Sequence, residues 1–142
     1  VTRVGVAEDL GTLFDSVVEL SVRAEADQLV IPRAVAEMVA ARSDFDLDAV
    51  ADVKLAVDEA CGALLAKSVL GGMLTCRFTL SIDVLTISVS SVASVPGVPG
   101  RGDFGWHVLR SLTDSVVARQ GPPERGRAGF PTAIEFTKRK SA

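Results

Sequence analysis

Residues 49–67, AVADVKLAVDEACGALLAK, carry the strongest periodicity in the chain. Val53, Ala56, Val57, Ala60 and Leu64 recur at spacings of three and four, which places them on one stripe of a helix. Asp52, Lys54, Asp58 and Glu59 fall between them, and Asp46 or Asp48 stands ahead as a cap. Gly62 weakens the interior by roughly 1 kcal/mol against alanine, and its small size matters only if backbone or ligand passes close by. Gly71 and Gly72 supply the stop.

Downstream, the period changes from 3.6 to 2. Leu74, Cys76, Phe78 and Leu80 alternate with Thr75, Arg77, Thr79 and Ser81, and Leu85, Ile87 and Val89 alternate with Thr86, Ser88 and Ser90. With Asp83 at their junction, the two runs predict a hairpin with one oily and one polar face. Upstream, SVVELSVRA puts Val18, Leu20 and Val22 on one face of a strand. RAVAEMVAAR then reads as a helix that buries Val35, Met38 and Val39, with Pro32 at its first position. After a loop rich in glycine and proline, SSVASVPGVPGRGD, a further helix FGWHVLRSLTD offers Phe104, Val108, Leu109 and Leu112 as its buried stripe. Two more strands, near residues 115–119 and at TAIEFTK, close the order. The expected class is α+β, a two-layer sandwich of helices on a mixed, mostly antiparallel sheet. Residues 1–15 are expected as a mobile arm, 16–138 as one domain and 139–142 as a basic tail.

Composition restricts the chemistry. The chain has 142 residues with 15 basic and 18 acidic side chains, one His, two Cys, and neither Asn nor Tyr. That length suits one domain with a modest core. A three-histidine metal site cannot be built, and two cysteines fall short of a structural zinc quartet. No run of 18 apolar residues and no signal peptide is visible, so no membrane span, a cytoplasmic location and reduced thiols are expected. Charge is uneven: residues 1–71 carry 6 basic and 13 acidic side chains, residues 72–142 carry 9 and 5. An acidic first half favours a basic protein partner. The basic tail lacks interleaved aromatics, which argues against direct nucleic-acid binding.

Three constellations could carry chemistry. GVPGRGDFG could cradle a phosphate ahead of a helix N-terminus, or be an ordinary glycine-rich loop; it matches neither GxxxxGK[ST] nor the dinucleotide fingerprint. Asp58 and Glu59 lie about 100° apart on their helix, so they are a poor mutual pair, although either could activate a hydroxyl. His107 beside Trp106 could be a base or a structural histidine. Core packing is the default for Cys61 and Cys76.

Taken with the element order, AVADVKLAVDEACGALL and GRGDFGWHVLRSLTDSV resemble two motifs of the anti-sigma-factor serine kinases in the GHKL ATPase superfamily, which have the Bergerat-type fold. The chain is most similar to their divergent actinobacterial branch, which acts on sigma factor F. The likeness spans roughly residues 16–138 and implies a homodimeric factor that sequesters an alternative, stress-related sigma factor until a STAS-domain antagonist frees it. It also implies an ATP site, with residues matched position by position. Glu59 matches the glutamate that helps activate the substrate hydroxyl, which would make it the catalytic residue of a protein-serine kinase. Ala63 stands where the family's magnesium-holding asparagine lies, and no asparagine elsewhere can replace it. Ser91 and Ala93 occupy the region of the adenine-contacting aspartate and its glycines. Gly102 and Gly105 keep the later glycine box, with Asp103 between them near the phosphates. Gly129 and Thr132 correspond to the closing glycine–threonine pair. The resemblance therefore implies weakened or lost ATP binding, no metal ligand set for magnesium, and protein binding as the retained function.

Overall fold

The stripe at residues 49–67 does form a helix, in a computed structural model that describes residues 3–7, 14–100 and 102–141. The elements are β1 (Arg3–Ala7), β2 (Phe14–Arg23), α1 (Val30–Arg42), α2 (Leu47–Leu65), β3 (Met73–Ser81), β4 (Val84–Ala93), α3 (Phe104–Leu112), β5 (Ser115–Gln120) and β6 (Phe130–Arg139). Asp46 caps α2, its carboxylate accepting the Ala49 N–H at 2.8 Å, which satisfies one orphan donor of the first turn. Asp48 instead lies within that first turn. On the core side α2 buries Ala49, Val53, Ala56, Val57, Ala60, Cys61 and Leu64.

The strands make one six-stranded sheet in the order β1-β2-β3-β4-β6-β5. Every pairing in it is antiparallel, so the parallel component allowed for in the expected mixed sheet is absent among the described strands. The β3–β4 turn is Ile82–Asp83, with Asp83 at φ 60°, a conformation that aspartate tolerates better than most residues. The helices cover one face. There Leu20, Val22, Leu74, Cys76, Phe78, Leu85, Ile87, Val89, Ile134 and Phe136 meet α2 in a single core, as the alternation predicted.

Among the described residues the other face carries no helix and is polar. The Ser21 and Thr75 hydroxyls share a hydrogen bond at 2.8 Å, and Arg77 donates to Glu19 at 3.4 Å. The class is therefore the expected α+β sandwich, with all three helices in one layer.

Five local expectations change. Within the expected arm, Arg3–Ala7 pair with β2 as a strand, while residues 1–2 and 8–13 lie outside the described residues. In the expected tail, Arg139 closes β6 and the Lys140 N–H donates to the Asp83 carbonyl at 2.8 Å; Ala142 lies outside the described residues. Pro32 is the third residue of α1, not the first, which is tolerated because first-turn N–H groups lack intrahelical partners. The α1 stripe is Pro32, Ala36, Val39 and Ala40, which turns Met38 outward to 46% exposure. Phe104 likewise leaves the expected stripe: it is 82% exposed at the first turn of α3, where only Leu109 is fully buried.

Candidate functional site

Helix α2 has a second face that is not part of the core. Glu59, Gly62, Ala63 and Lys67 follow one another at helical spacing and form one wall of a cleft of about 360 Å³. The opposite wall comes from Pro99, Asp103 and the start of α3, with Phe104, Gly105, Trp106 and Leu109. The two distant motifs of the sequence therefore meet across one hollow, at the small end of ligand-sized sites. A Cβ placed on Gly62 would meet no atom within 4 Å, so this glycine widens the cleft and serves no tight packing. A Cβ on Gly105 would run into the Glu59 carboxylate, so any side chain there pushes that carboxylate aside.

Glu59 and Asp58 part company in the structure. Asp58 accepts from Arg33 Nε on α1 at 2.9 Å, and this ion pair joins the two helices away from the cleft. Glu59 faces the cleft with Asp103 and, among the described residues, one cation, Lys67. Asp103 Oδ2 accepts the Gly100 N–H at 2.8 Å, so its carboxylate braces the preceding loop and does not cap α3. His107 is exposed and is not part of either wall; its neighbour Trp106 is.

The remaining matched residues lie elsewhere. Ser91 and Thr132 border a larger hollow of about 760 Å³, with Thr75, Ser90, Arg119, Gln120 and Arg127 around it. Ser91 Oγ is buried and has no hydrogen-bond partner, as is Ser68 Oγ from the segment after α2. Thr132 Oγ1 donates to the Phe130 carbonyl at 2.8 Å and accepts from Gln120 Nε2 at 2.9 Å. Gly102 is exposed, and a Cβ there would meet nothing within 4 Å. Gly129, at φ 97°, lies so close to β4 that a Cβ would sit 2.9 Å from the Ala93 carbonyl oxygen. Backbone conformation and packing are sufficient reason for glycine at that position.

Ala63 turns a methyl group to the cleft, the Asp103 carboxylate is engaged by the Gly100 N–H, and the Ser91 hydroxyl is enclosed. Among the described residues no three His, Cys, Asp or Glu side chains gather as a metal site.

Cys61 on α2 and Cys76 on β3 meet in the core with their sulfurs 3.9 Å apart, both as free thiols. The thiol contact with Cys76 and burial push the Cys61 thiol far above the ordinary thiol range.

Sequence reasoning missed Lys67 and Gln120 as parts of these hollows. The signal for Lys67 was present: it continues the Glu59, Ala63 spacing by one turn. Gln120 had none, since its partners, the Gly97 backbone and the Thr132 hydroxyl, lie 23 and 12 residues away in sequence.

A two-layer sandwich with this strand order, and a cleft between its second helix and a glycine-led third, is the architecture expected of a GHKL-like domain. No family model matches the chain. Two curated proteins do: the anti-sigma-F factor RsbW of Mycobacterium tuberculosis strain CDC 1551 / Oshkosh and that of strain ATCC 25618 / H37Rv. Each is 32% identical to it over 125 residues, covering 88% of this chain and 74% of theirs. The chain belongs to the RsbW-type anti-sigma factor family. Among the described residues no helix is long and apolar enough to cross a membrane.

Proposed function

We propose that the protein is an anti-sigma factor that binds an alternative sigma factor of the sigma-F class and withholds it from RNA polymerase in the cytoplasm. The observation that carries this reading is the 32% identity to anti-sigma-F factors over 88% of the chain. The helix layer supports it. On its helices the acidic first half exposes Met38, Leu47 and Leu55 together with Glu37, Asp48 and Asp52, of which Glu37 pairs with Lys54 and Asp52 with Lys138. Such a surface complements a basic, partly apolar helical partner. A STAS-domain antagonist competes for the same protein and releases the sigma factor under stress, and the polar, helix-free sheet face serves homodimer contact. Light scattering on mixtures with purified sigma factors tests the reading. A complex with a sigma-F-class factor is the expected result, and no complex with any sigma factor rejects it.

A second reading, an ATP-dependent serine kinase acting on the antagonist, rests on one observation: Glu59 faces a cleft with Lys67 beside it. Phosphate transfer from labelled ATP to the antagonist, abolished by Glu59→Ala, supports it. No transfer at millimolar ATP and magnesium removes it. The misfit of Ala63 and Asp103 to a metal–triphosphate favours the first reading.

A further inference from the structure

We propose that Gln120 is a positioning residue: it straps down the loop at residues 94–100 and thereby sets the wall of the Glu59 cleft. Gln120 ends β5, and its side chain lies on the helix side with Val116 and Ala118, while Val117 and Arg119 face outward. Its amide group is used at both ends. Oε1 accepts the Gly97 N–H at 2.9 Å, and Nε2 donates to the Gly97 carbonyl at 3.4 Å and to Thr132 Oγ1 at 2.9 Å. A side-chain amide thus takes the part of a neighbouring strand's peptide group, holding both backbone groups of one loop residue. Gly97 lies at φ 119°, a conformation that side chains disfavour.

Little else fixes the middle of the loop. Residues 94–98 are all exposed, Val95 and Val98 included, so no apolar anchor holds them. The loop is tied at its start, where the Ser94 N–H donates to the Lys67 carbonyl at 2.7 Å. Its later part is tied by the Gly100 and Asp103 pair, with the Asp103 N–H donating to the Gly100 carbonyl at 2.9 Å. Among the described residues Gln120 supplies the hold between these two ends. Because Pro99 and Asp103 form the cleft wall, moving Gly97 moves that wall. This inference does not depend on the identity of the partner protein.

The lone Trp106 lines the cleft and reports on it directly. In Gln120→Ala, amide exchange at Gly97 is expected to rise about 5-fold or more, the effect of losing hydrogen bonds that hold an exposed loop. Acrylamide quenching of Trp106 fluorescence is expected to rise with it, while exchange in β3 and β4 stays unchanged. Gln120→Glu keeps the acceptor for the Gly97 N–H and loses both amide donors. Thr132→Val loses the anchor of the amide, together with the hydroxyl's own bond to the Phe130 carbonyl. Both are expected between wild type and Gln120→Ala. Wild-type exchange at Gly97 and wild-type quenching in Gln120→Ala overturn the proposal, as does a uniform rise across β3 and β4. If Gln120→Ala fails to fold, the other two variants decide by the same readouts.

Discussion

Helix α2 has two sides that obey different rules. Toward the sheet it presents Val53, Val57, Cys61 and Leu64, all buried and all in contact with one core. Toward α3 it presents Glu59, Gly62, Ala63 and Lys67, a row with small residues, charges and open space. Core packing accounts for every residue of the first set. It accounts in part for Ala63, which packs against the core, but not for Glu59, Gly62 or Lys67, because a glycine costs helix stability without filling anything and a carboxylate there gains no ion pair from packing. What differs between the two sides is therefore the part of α2 that function has shaped.

The largest test of that contrast is a pair of substitutions. Phe78→Ala, in the core opposite α2, is expected to lower unfolding free energy by about 3–5 kcal/mol in urea titrations. Ala63→Asn, on the cleft side, is expected to change it by less than about 1 kcal/mol, as polar surface substitutions do. Equal costs would erase the distinction between the two sides.

The next test uses pH. Cys61 has a folded-state pKa raised far above its ordinary value of about 9.0, so its contribution to stability is complete below that value and declines as pH rises through it, where the unfolded thiol ionises and the folded one does not. Between pH 9 and 10 the loss is expected to be on the order of 1 kcal/mol, and Cys61→Ala is expected to flatten that slope. The chain lacks tyrosine, which removes one competing titration from this range. Native protein is also expected to leave both thiols unreacted toward a thiol-specific disulfide reagent until urea unfolds it.

On the cleft side, Gly105→Ala forces a Cβ against Glu59 and is expected to cost about 1 kcal/mol. Adding Glu59→Ala is expected to restore most of it, since only the carboxylate stands in the way. Additive losses would mean that the two helices touch elsewhere. The smallest effect concerns the pair that holds α2 to α1. A double-mutant cycle on Arg33→Ala and Asp58→Ala is expected to give a coupling of about 0.5 kcal/mol, because both side chains remain partly exposed.

The same contrast marks what could be seen in the sequence. Core residues announce themselves through period: α2, β3 and β4 were legible because burial forces Val57 and Ala60, or Phe78 and Ile87, into fixed spacings. Where one residue decides, period fails. Met38 and Phe104 suit a buried stripe by type, yet the helices turn them outward toward surfaces that no other part of the described chain covers. Strand β1 went unread because RVGVA is a short edge segment with a glycine in the middle and too few turns of alternation to stand out. The cleft was legible only through the resemblance of two motifs, which Glu59 and Gly105 now bring face to face. Ser91 and Thr132 belong to the same motif set but border a different hollow. The strap by Gln120 could not be read, since a glutamine that binds backbone groups leaves no pattern in the side chains it meets.

The strand order also sets a timetable for synthesis. Glu19 on β2 pairs with Arg77 on β3, 58 residues later, and the helical pair α1–α2 lies between them. Strand β2 can join β1 as soon as both are made, but its other edge waits for β3. At roughly 5–20 residues per second, ribosomal elongation leaves that edge open for about 3–12 s. During that interval Val18, Leu20 and Val22 are without their sheet partner. The charges of Glu19 and Arg23 on the opposite face then do work that the finished fold does not require of them, discouraging edge-to-edge association between nascent chains.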